Sequence, residues 1–575
     1  MEELIHARRA SMRVLFPDSA VDEEEAADRA TADSFNRKLN VEQNSEFVRR
    51  IQQAIKDNDQ AVNEIYKSTA MEIRLKELTY QVPVMEEEQR KIHTIYNSSP
   101  LYKLQKAFKS MNTKKNKEEE WCNVLTSVNL VLKPQTMYLV LGPPSSGKTS
   151  LLKAIAGMLS AKDAKLSGKV LYNNITVLGE GENTNKSLFQ NLVAFVRQMD
   201  IHAARLTVNE TFRFASHCKD SREKDEKERR VKMTLDALGI GHVMNTFVGD
   251  ETVRGVSGGQ RRRVTLGEVS VLIFLAFTMY SCCLKASPVL SVLLNLSHSS
   301  KSQMLVFDTP LLCGDEISTG LDTASTVDIL SILSYITRLF QRVTVISLLQ
   351  PSPEAVALFD EIVLLGDGGT ILFSGPTEQA RDYFLKLGYV QPDGMDDADY
   401  LLAVASSDRG LLYRPDERFD EDIVEEADTT EVLGVKFSKS GNSEIIKKAL
   451  GKEWQCDWNI KGSDGNSIKA FEKKYQNSFL KSVWLNLKRA FVLWSRDRIF
   501  IRASAIKNLA MGLSVGAVFF QTNVNSSFFG VLFQGNLFIM LGAMTSAPEK
   551  LNDRAVFYKH DDVSVLERQS SFIMN

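Results

Sequence analysis

The sequence predicts an α/β domain followed by the start of an all-α membrane segment. Three observations carry that expectation. Strand-like and helix-like stretches alternate from about residue 124 to about residue 390, the pattern of helices packed on a mostly parallel sheet. A glycine-rich turn, Gly142–Thr149 (GPPSSGKT), lies between a short apolar stretch and a helical one. Further on, the 41 residues Asn508–Pro548 carry no charge, which is hard to accommodate in a water-soluble fold.

The rest of the composition fits such a mixture. The chain has 575 residues, room for about three or four domains. Lys and Arg number 70 against 72 Asp and Glu, a net charge of −2. Bulk charge therefore gives no support for a nucleic-acid partner, and none is expected. Mean hydropathy is −0.16, too polar for a chain that is mostly embedded in lipid. Six cysteines are too few for a disulfide framework, so a reducing compartment is expected for the bulk of the chain. The first residues, MEELIHARRASMRVLF, contain no apolar core of a cleavable secretory signal.

Residues 1–72 are polar, with the acidic run Asp22–Glu25, and read as a solvated extension. Met71–Val82 alternates apolar and polar residues in part, as a half-buried strand does. Lys114–Glu120 (KKNKEEE) reads as an exposed loop. Val124–Leu132 and Met137–Leu141 read as strands, the second apolar throughout as in a buried parallel sheet. Ser150–Met158 opens a helix. Residues 391–477 read as a linker with some helix. Lys481–Arg498 interleaves aromatics and bases at helical spacing, like a helix lying in a membrane interface. Two spans are expected at about 499–520 and 528–547, joined by the polar turn Gln521–Asn525. Lys488, Arg489, Arg496, Arg498 and Arg502 cluster before the first span and place that side in the cytoplasm. A buried soluble hairpin is the alternative.

The chemistry begins at the glycine-rich turn. GxxxxGK[ST] after a strand and before a helix is a P-loop, whose backbone N–H groups curl around phosphate oxygens at a helix N-terminus. Gly142, Ser145, Gly147, Lys148, Thr149 and Ser150 form the candidate phosphate-binding set. Lys148 offers a point charge to the β- and γ-phosphates, and Thr149 a hydroxyl to Mg²⁺.

Four further motifs follow in order. Gln198 ends Ala194–Gln198 (AFVRQ). Ser257-Gly258-Gly259-Gln260 precedes the basic run Arg261–Arg263. Leu311–Glu316 (LLCGDE) is an apolar strand ending in two acids. Ser318–Asp322 (STGLD) comes last. Together with the P-loop these residues resemble the Q-loop, signature, Walker B and D-loop of ATP-binding cassette (ABC) ATPases, over roughly residues 73–390. The resemblance implies an α/β P-loop ABC nucleotide-binding domain followed by the start of an all-α transmembrane domain, with ATP and Mg²⁺ as ligands. It implies that Asp315 holds Mg²⁺ together with Thr149 and Gln198, and that Glu316 acts as general base on the attacking water. It implies also that Ser257, Gly258, Gly259, Gln260 and Asp322 serve ATP shared with a second cassette, on the same full-length chain or in a dimer. Tyr80 is a candidate to stack on adenine; a core tyrosine is the alternative.

Thr252–Gly255, Asp315–Asp322 (DEISTGLD), Ile346–Glu354 and Val556–Asp561 (VFYKHD) resemble the G subfamily, pleiotropic-drug-resistance type, in which the cassette precedes the membrane domain. By that resemblance the protein is a multi-pass membrane ATPase with its cassette in the cytoplasm, the motor part of an exporter of hydrophobic compounds or lipids. The alternative is a truncated or mis-spliced nucleotide-binding fragment without transport activity. Soluble ABC proteins acting on ribosomes or DNA usually lack spans, so the uncharged stretch speaks against that class.

Three departures stand out. Leu349 occupies the place of the family's switch histidine before Gln350-Pro351 and cannot hydrogen-bond a γ-phosphate, which puts hydrolysis at this site in doubt. Gln260 and Asp315 lie 55 positions apart, more than the resemblance implies, and the 35 residues Val269–Gln303 account for the excess. That segment has no acid and a 16-residue charge-free run, Val269–Leu284. It reads as a translated intron, a surface insertion or a further membrane helix; codons for Val-Ser and Gln permit splice junctions. Finally, two spans enclose no complete substrate path, and Gln569–Asn575 is expected to be the middle of a domain.

Overall fold

A computed structural model describes residues 71–83, 121–159, 164–173, 175–179, 192–219, most of 225–250, 252–270, 310–339, 341–414, 429–452, 477–520 and most of 528–540. The polar extension before residue 71, most of 269–303, the turn at 521–527 and the residues after 540 lie outside the described set.

Among the described residues, ten strands form two sheets. The first is antiparallel, in the order β2-β1-β4-β5. Its strands are β1 (Ile73–Pro83), β2 (Trp121–Leu132), β4 (Lys165–Tyr172) and β5 (Ile175–Gly179). β1 buries Ile73, Leu75 and Leu78, with a register shift between Leu75 and Leu78 that interrupts the strict alternation. The second sheet has the order β10-β9-β3-β8-β7-β6. It comprises β3 (Thr136–Leu141), β6 (Val193–Val196), β7 (Leu311–Gly314), β8 (Val343–Ser347), β9 (Glu361–Leu365) and β10 (Ile371–Pro376). β6, β7, β8, β3 and β9 run parallel, and β10 pairs antiparallel at the edge. These strands are apolar almost throughout because both faces are covered. Met137–Leu141, Val343 and Val345 are wholly buried.

Helix α1 (Lys148–Ile155) follows β3 and buries Leu151, Leu152 and Ile155. α2 (Val208–Lys219) and α3 (Gly258–Ser270) belong to a helical lobe between β6 and β7. That lobe has its own small core of Val208, Phe212, Val231, Leu235, Ile240, Val248, Val256 and Val264. α3 bridges the two cores, because its Leu266 packs in the main one. α4 (Thr323–Leu339) precedes β8.

α5 (Thr377–Lys386) follows β10. The segment 391–477, read from sequence as a linker with some helix, holds α6 (Asp397–Ala405), α7 (Thr430–Ser438) and α8 (Gly441–Gly451) among its described residues. Tyr400, Leu401, Val404, Leu433 and Phe437 join the main core. Each helix is too short to produce a long apolar run, so one or two buried turns look polar in sequence.

The junction between the sheets decides the shape of the nucleotide site. The backbone of Val124 on β2 is wedged between two glycines. A Cβ on Gly147 would lie 2.5 Å from the Val124 carbonyl, and one on Gly369 would lie 2.0 Å from it. Both glycines have positive φ, +89° and +68°, a conformation that L side chains rarely tolerate.

α9 (Phe479–Arg496) and α10 (Arg498–Val518) end the described chain apart from a short helical stretch at 528–540. α9 docks on α2: Arg496 makes a bidentate pair with Glu210, at 2.6 and 2.7 Å. Its guanidinium also lies over Phe247, and Arg489 lies over Phe214 at 4.4 Å. Burial raises the Glu210 carboxyl, but the hydrogen bonds from Arg496 and Thr207 outweigh it and hold its pKa below the usual value. The opposite face of α9 exposes Leu480, Trp484, Phe491 and Trp494. α10 leaves Ile499, Leu509, Leu513 and Val518 exposed. α10 coincides with the first expected span. Even so, among the described residues no helix is long and apolar enough to cross a membrane; Arg498, Arg502, Lys507 and Asn508 dilute the first half of α10.

Candidate nucleotide site

Four parallel strands, neighbours in the order β3-β8-β7-β6, deliver their carboxyl ends to one edge. β3 delivers Gly142, β8 ends in Ser347, β7 delivers Asp315 and Glu316, and β6 delivers Gln198. Ligands of open α/β sheets bind at such edges. The motifs, scattered over more than 200 positions of sequence, meet there because strand order differs from chain order.

The P-loop turns tightly between β3 and α1, with Ser145 (φ +65°) and Gly147 both left-handed. α1 has no side-chain cap and no acid in its first turn. Its first N–H groups are therefore available to an anion, which the helix dipole favours. Ser146 Oγ is buried and has no hydrogen-bond partner, the cost of which a phosphate oxygen would relieve. Lys148 Nζ donates to the carbonyls of Gly142 (2.8 Å) and Pro143 (2.9 Å), folding back across the loop. Burial lowers the Lys148 pKa, and the charges of Glu316 and Asp315 oppose that shift. Ser145 is exposed, and Ser150 is half-buried in the first turn of α1.

The acids are tied to this loop directly. Thr149 Oγ1 donates to Asp315 Oδ2 at 2.9 Å. Ser347 Oγ donates to Asp315 Oδ1 at 3.0 Å and accepts from the Glu316 N–H at 2.9 Å. Gln198 Nε2 donates to Glu316 Oε2. Glu316 has φ +48°, an uncommon conformation for a side chain of this size. Thr149, Asp315 and Gln198 present only hard oxygen ligands, which suits Mg²⁺ held jointly with phosphate and water. Among the described residues no three His, Cys, Asp or Glu converge into an all-protein cage.

The remaining predicted residues lie elsewhere. Ser257 and Gln260 form a capping box at the start of α3: the Gln260 N–H donates to Ser257 Oγ (3.2 Å), and the Ser257 N–H donates to Gln260 Oε1 (3.1 Å). Gly258 and Gly259 approach Gly320 and Leu321 of the D-loop. Asp322 is exposed and caps α4. The hydrogen bond with Ser325 is the largest influence holding its pKa low. Tyr80 is half-buried on β1, in register with Leu125 of β2 and Leu166 of β4. Leu125 follows the Val124 wedge, so Tyr80 is one strand away from the P-loop. Leu349 is 40% exposed just past β8.

Ser347 was not singled out from the sequence. A serine closing the buried strand VTVIS is the signal available. Ser347→Ala leaves the buried Asp315 short of one donor, a cost of about 1–3 kcal/mol. ATP affinity in Mg²⁺ is expected to fall roughly tenfold with little change in EDTA, read by titration of a fluorescent ATP analogue. Wild-type affinity in Mg²⁺ would remove Ser347 from the site.

Comparison with known proteins finds matches to transporter families. A family model described as ABC transporter matches residues 125–272. Two models described as ABC-2 type transporter match residues 349–524 and 481–574. Pleiotropic drug resistance protein 1 of Petunia hybrida is 30% identical over 482 residues, covering 76% of this chain and 29% of the relative. ABC transporter G family member 35 of Oryza sativa subsp. japonica is 30% identical over 511 residues, covering 82% and 31%. The chain thus spans about three-tenths of the length of these curated relatives. A solved dimeric ATP-binding cassette in a post-hydrolysis state with ADP and Pi covers 53% of this chain at 16% identity, with a TM-score of 0.34. The cassette match stops at residue 272, inside 269–303.

Proposed function

Because this chain belongs to the ABC transporters of the G subfamily, pleiotropic-drug-resistance type, with a cassette followed by an ABC-2 membrane region, we propose that it is the ATP-driven motor part of an exporter of hydrophobic compounds or lipids. One observation carries the motor assignment: Lys148, Thr149, Asp315, Gln198 and Glu316 are joined by hydrogen bonds or facing charges at one edge of one sheet. The substrate class rests on the Petunia hybrida relative, whose name refers to drug resistance.

Phosphoanhydride hydrolysis is mainly a matter of positioning and charge neutralisation. Lys148 exchanges the Gly142 and Pro143 carbonyls for the β- and γ-phosphate oxygens. The N–H groups at the start of α1 and the Ser146 hydroxyl hold the same phosphates. Magnesium, when bound, would neutralise charge between the β- and γ-phosphates, held by Thr149, Asp315 and Gln198. Glu316 accepts the proton of the attacking water, with Gln198 orienting its carboxylate. The signature helix faces its own D-loop and serves the ATP of a second cassette, so closure requires that partner. The exposed apolar faces of α9 and α10 meet the bilayer, and the Arg496–Glu210 pair couples them to the cassette.

Leu349 favours a second reading, a site that binds ATP but turns it over slowly. Both readings predict saturable, Mg²⁺-dependent ATP binding by the full chain in detergent. Turnover measured on the same sample separates them. A chain that shows no saturable ATP binding overturns both.

A further inference from the structure

Arg262, on the first turns of α3, has the bulkiest wholly buried side chain among the described residues. A buried guanidinium is costly unless its donors are satisfied, and here they are. Nε donates to the carbonyl of Ile317 at 3.1 Å. Nη1 donates to the carbonyls of Arg197 (2.7 Å) and Gln198 (3.0 Å) and to Asp200 Oδ1 (2.9 Å). Nη2 donates to the carbonyls of Asp315 (3.1 Å) and Glu316 (3.0 Å). Asp200 Oδ1 in turn accepts from Thr265 Oγ1 at 2.6 Å, one turn along α3.

The targets form two groups. One is the backbone that carries Gln198; the other is the backbone that carries Asp315 and Glu316. Their side chains meet at the Gln198–Glu316 hydrogen bond. The left-handed φ of Glu316 persists only where its surroundings fix it, and Arg262 holds the carbonyls of Asp315, Glu316 and Ile317 together. A planar fork of five donors can do this, whereas a lysine ammonium with three donors around one point cannot span both groups.

We propose that Arg262 is a positioning residue which, from the signature helix, holds the Gln198 segment and the Asp315–Glu316 turn in register, so that the oxygen ligands for Mg²⁺ and the general base face the same phosphate. The proposal rests on the nucleotide assignment above. It touches neither substrate nor metal and acts through Gln198 and Glu316.

The test is ATP binding by the full chain, titrated with a fluorescent ATP analogue in EDTA and in Mg²⁺, for Arg262→Lys, Gln198→Ala and the double variant. For Arg262→Lys, affinity in EDTA is expected within about twofold of wild type, since the P-loop is untouched. The gain in affinity brought by Mg²⁺ is expected to fall about tenfold, the order of one charge-assisted hydrogen bond. Gln198→Ala is expected to lose a similar amount, and the double variant no more than either alone, because the two residues act as one unit. Additive losses, an unchanged Mg²⁺ gain, or a fall in EDTA affinity that tracks the melting temperature would overturn the proposal. Should Arg262→Lys fail to fold, Asp200→Asn loosens the same guanidinium; it is expected to reduce the Mg²⁺ gain in the same direction, and an unchanged gain overturns the proposal. Loss of all ATP binding by the unsubstituted chain would overturn the nucleotide assignment itself, whereas normal binding with an unchanged Mg²⁺ gain in the variant overturns only the role of Arg262.

Discussion

Lys148→Ala is expected to raise the dissociation constant for ATP at least about 100-fold. The ammonium is buried and bonded to two carbonyls of its own loop, so it is already at the place where phosphate oxygens would arrive. It contributes two charge-assisted hydrogen bonds to the bound phosphates, each worth about 1.5–3 kcal/mol. Removing it also leaves Asp315 and Glu316, the two acids whose charges oppose the lowering of its pKa, facing the triphosphate without a compensating cation. Fold should be preserved, because Leu151, Leu152 and Ile155, not Lys148, anchor α1 in the core. The measurement is equilibrium titration beside a melting curve. An unchanged dissociation constant would mean that ATP binds somewhere else on the chain.

Deletion of 269–303 is expected to raise the soluble yield of the protein several-fold and to preserve ATP binding. α3 is packed to its last turns: Leu266 is buried, and a Cβ on Gly267 would lie 2.3 Å from the Phe212 ring. β7 is buried from its first residue, Leu311. Joining Glu268 to Met304 removes only the last two residues of α3, Val269 and Ser270, and leaves β7 whole. Closure entropy changes little with loop length, about 0.6 kcal/mol per doubling. The expected gain therefore comes from removing an acid-free, apolar stretch that promotes association. Equal yield and equal melting temperature for the two chains would show that 269–303 belongs to the folded unit.

Sequence revealed those parts of the site whose chemistry is concentrated in a few adjacent residues. GPPSSGKT and the paired acids Asp315-Glu316 are of this kind, and they stand where the strand ends place them. Ser347 and Arg262 were not legible. Their roles depend on β8 lying between β3 and β7 and on α3 reaching across two loops, and neither relation has a local signature. Ser257 and Gln260 show the converse. Their motif was legible, but its side chains are engaged in a capping box, so the proposed contact with a second cassette's ATP would fall chiefly to backbone N–H groups and the glycines between. α6 to α8 lie in the stretch read as a linker with some helix, and their packing has a weak sequence signal because a short helix packed on a large domain needs only one apolar turn. For α10 the uncharged stretch correctly suggested a helix, but the basic residues at its start keep it below the apolar content of a membrane span.

The wedge of Val124 between Gly147 and Gly369 bears on how such a site can decay. Gly369 stands far in sequence from every phosphate-binding motif, although its Cα would lie 3.6 Å from a Cβ on Gly147 of the P-loop. Any side chain there would push β2 against the P-loop from behind. Nucleotide affinity in this lineage is therefore vulnerable to drift at a residue that no motif names, and a survey of natural variants restricted to the catalytic side chains would score a damaged cassette as intact.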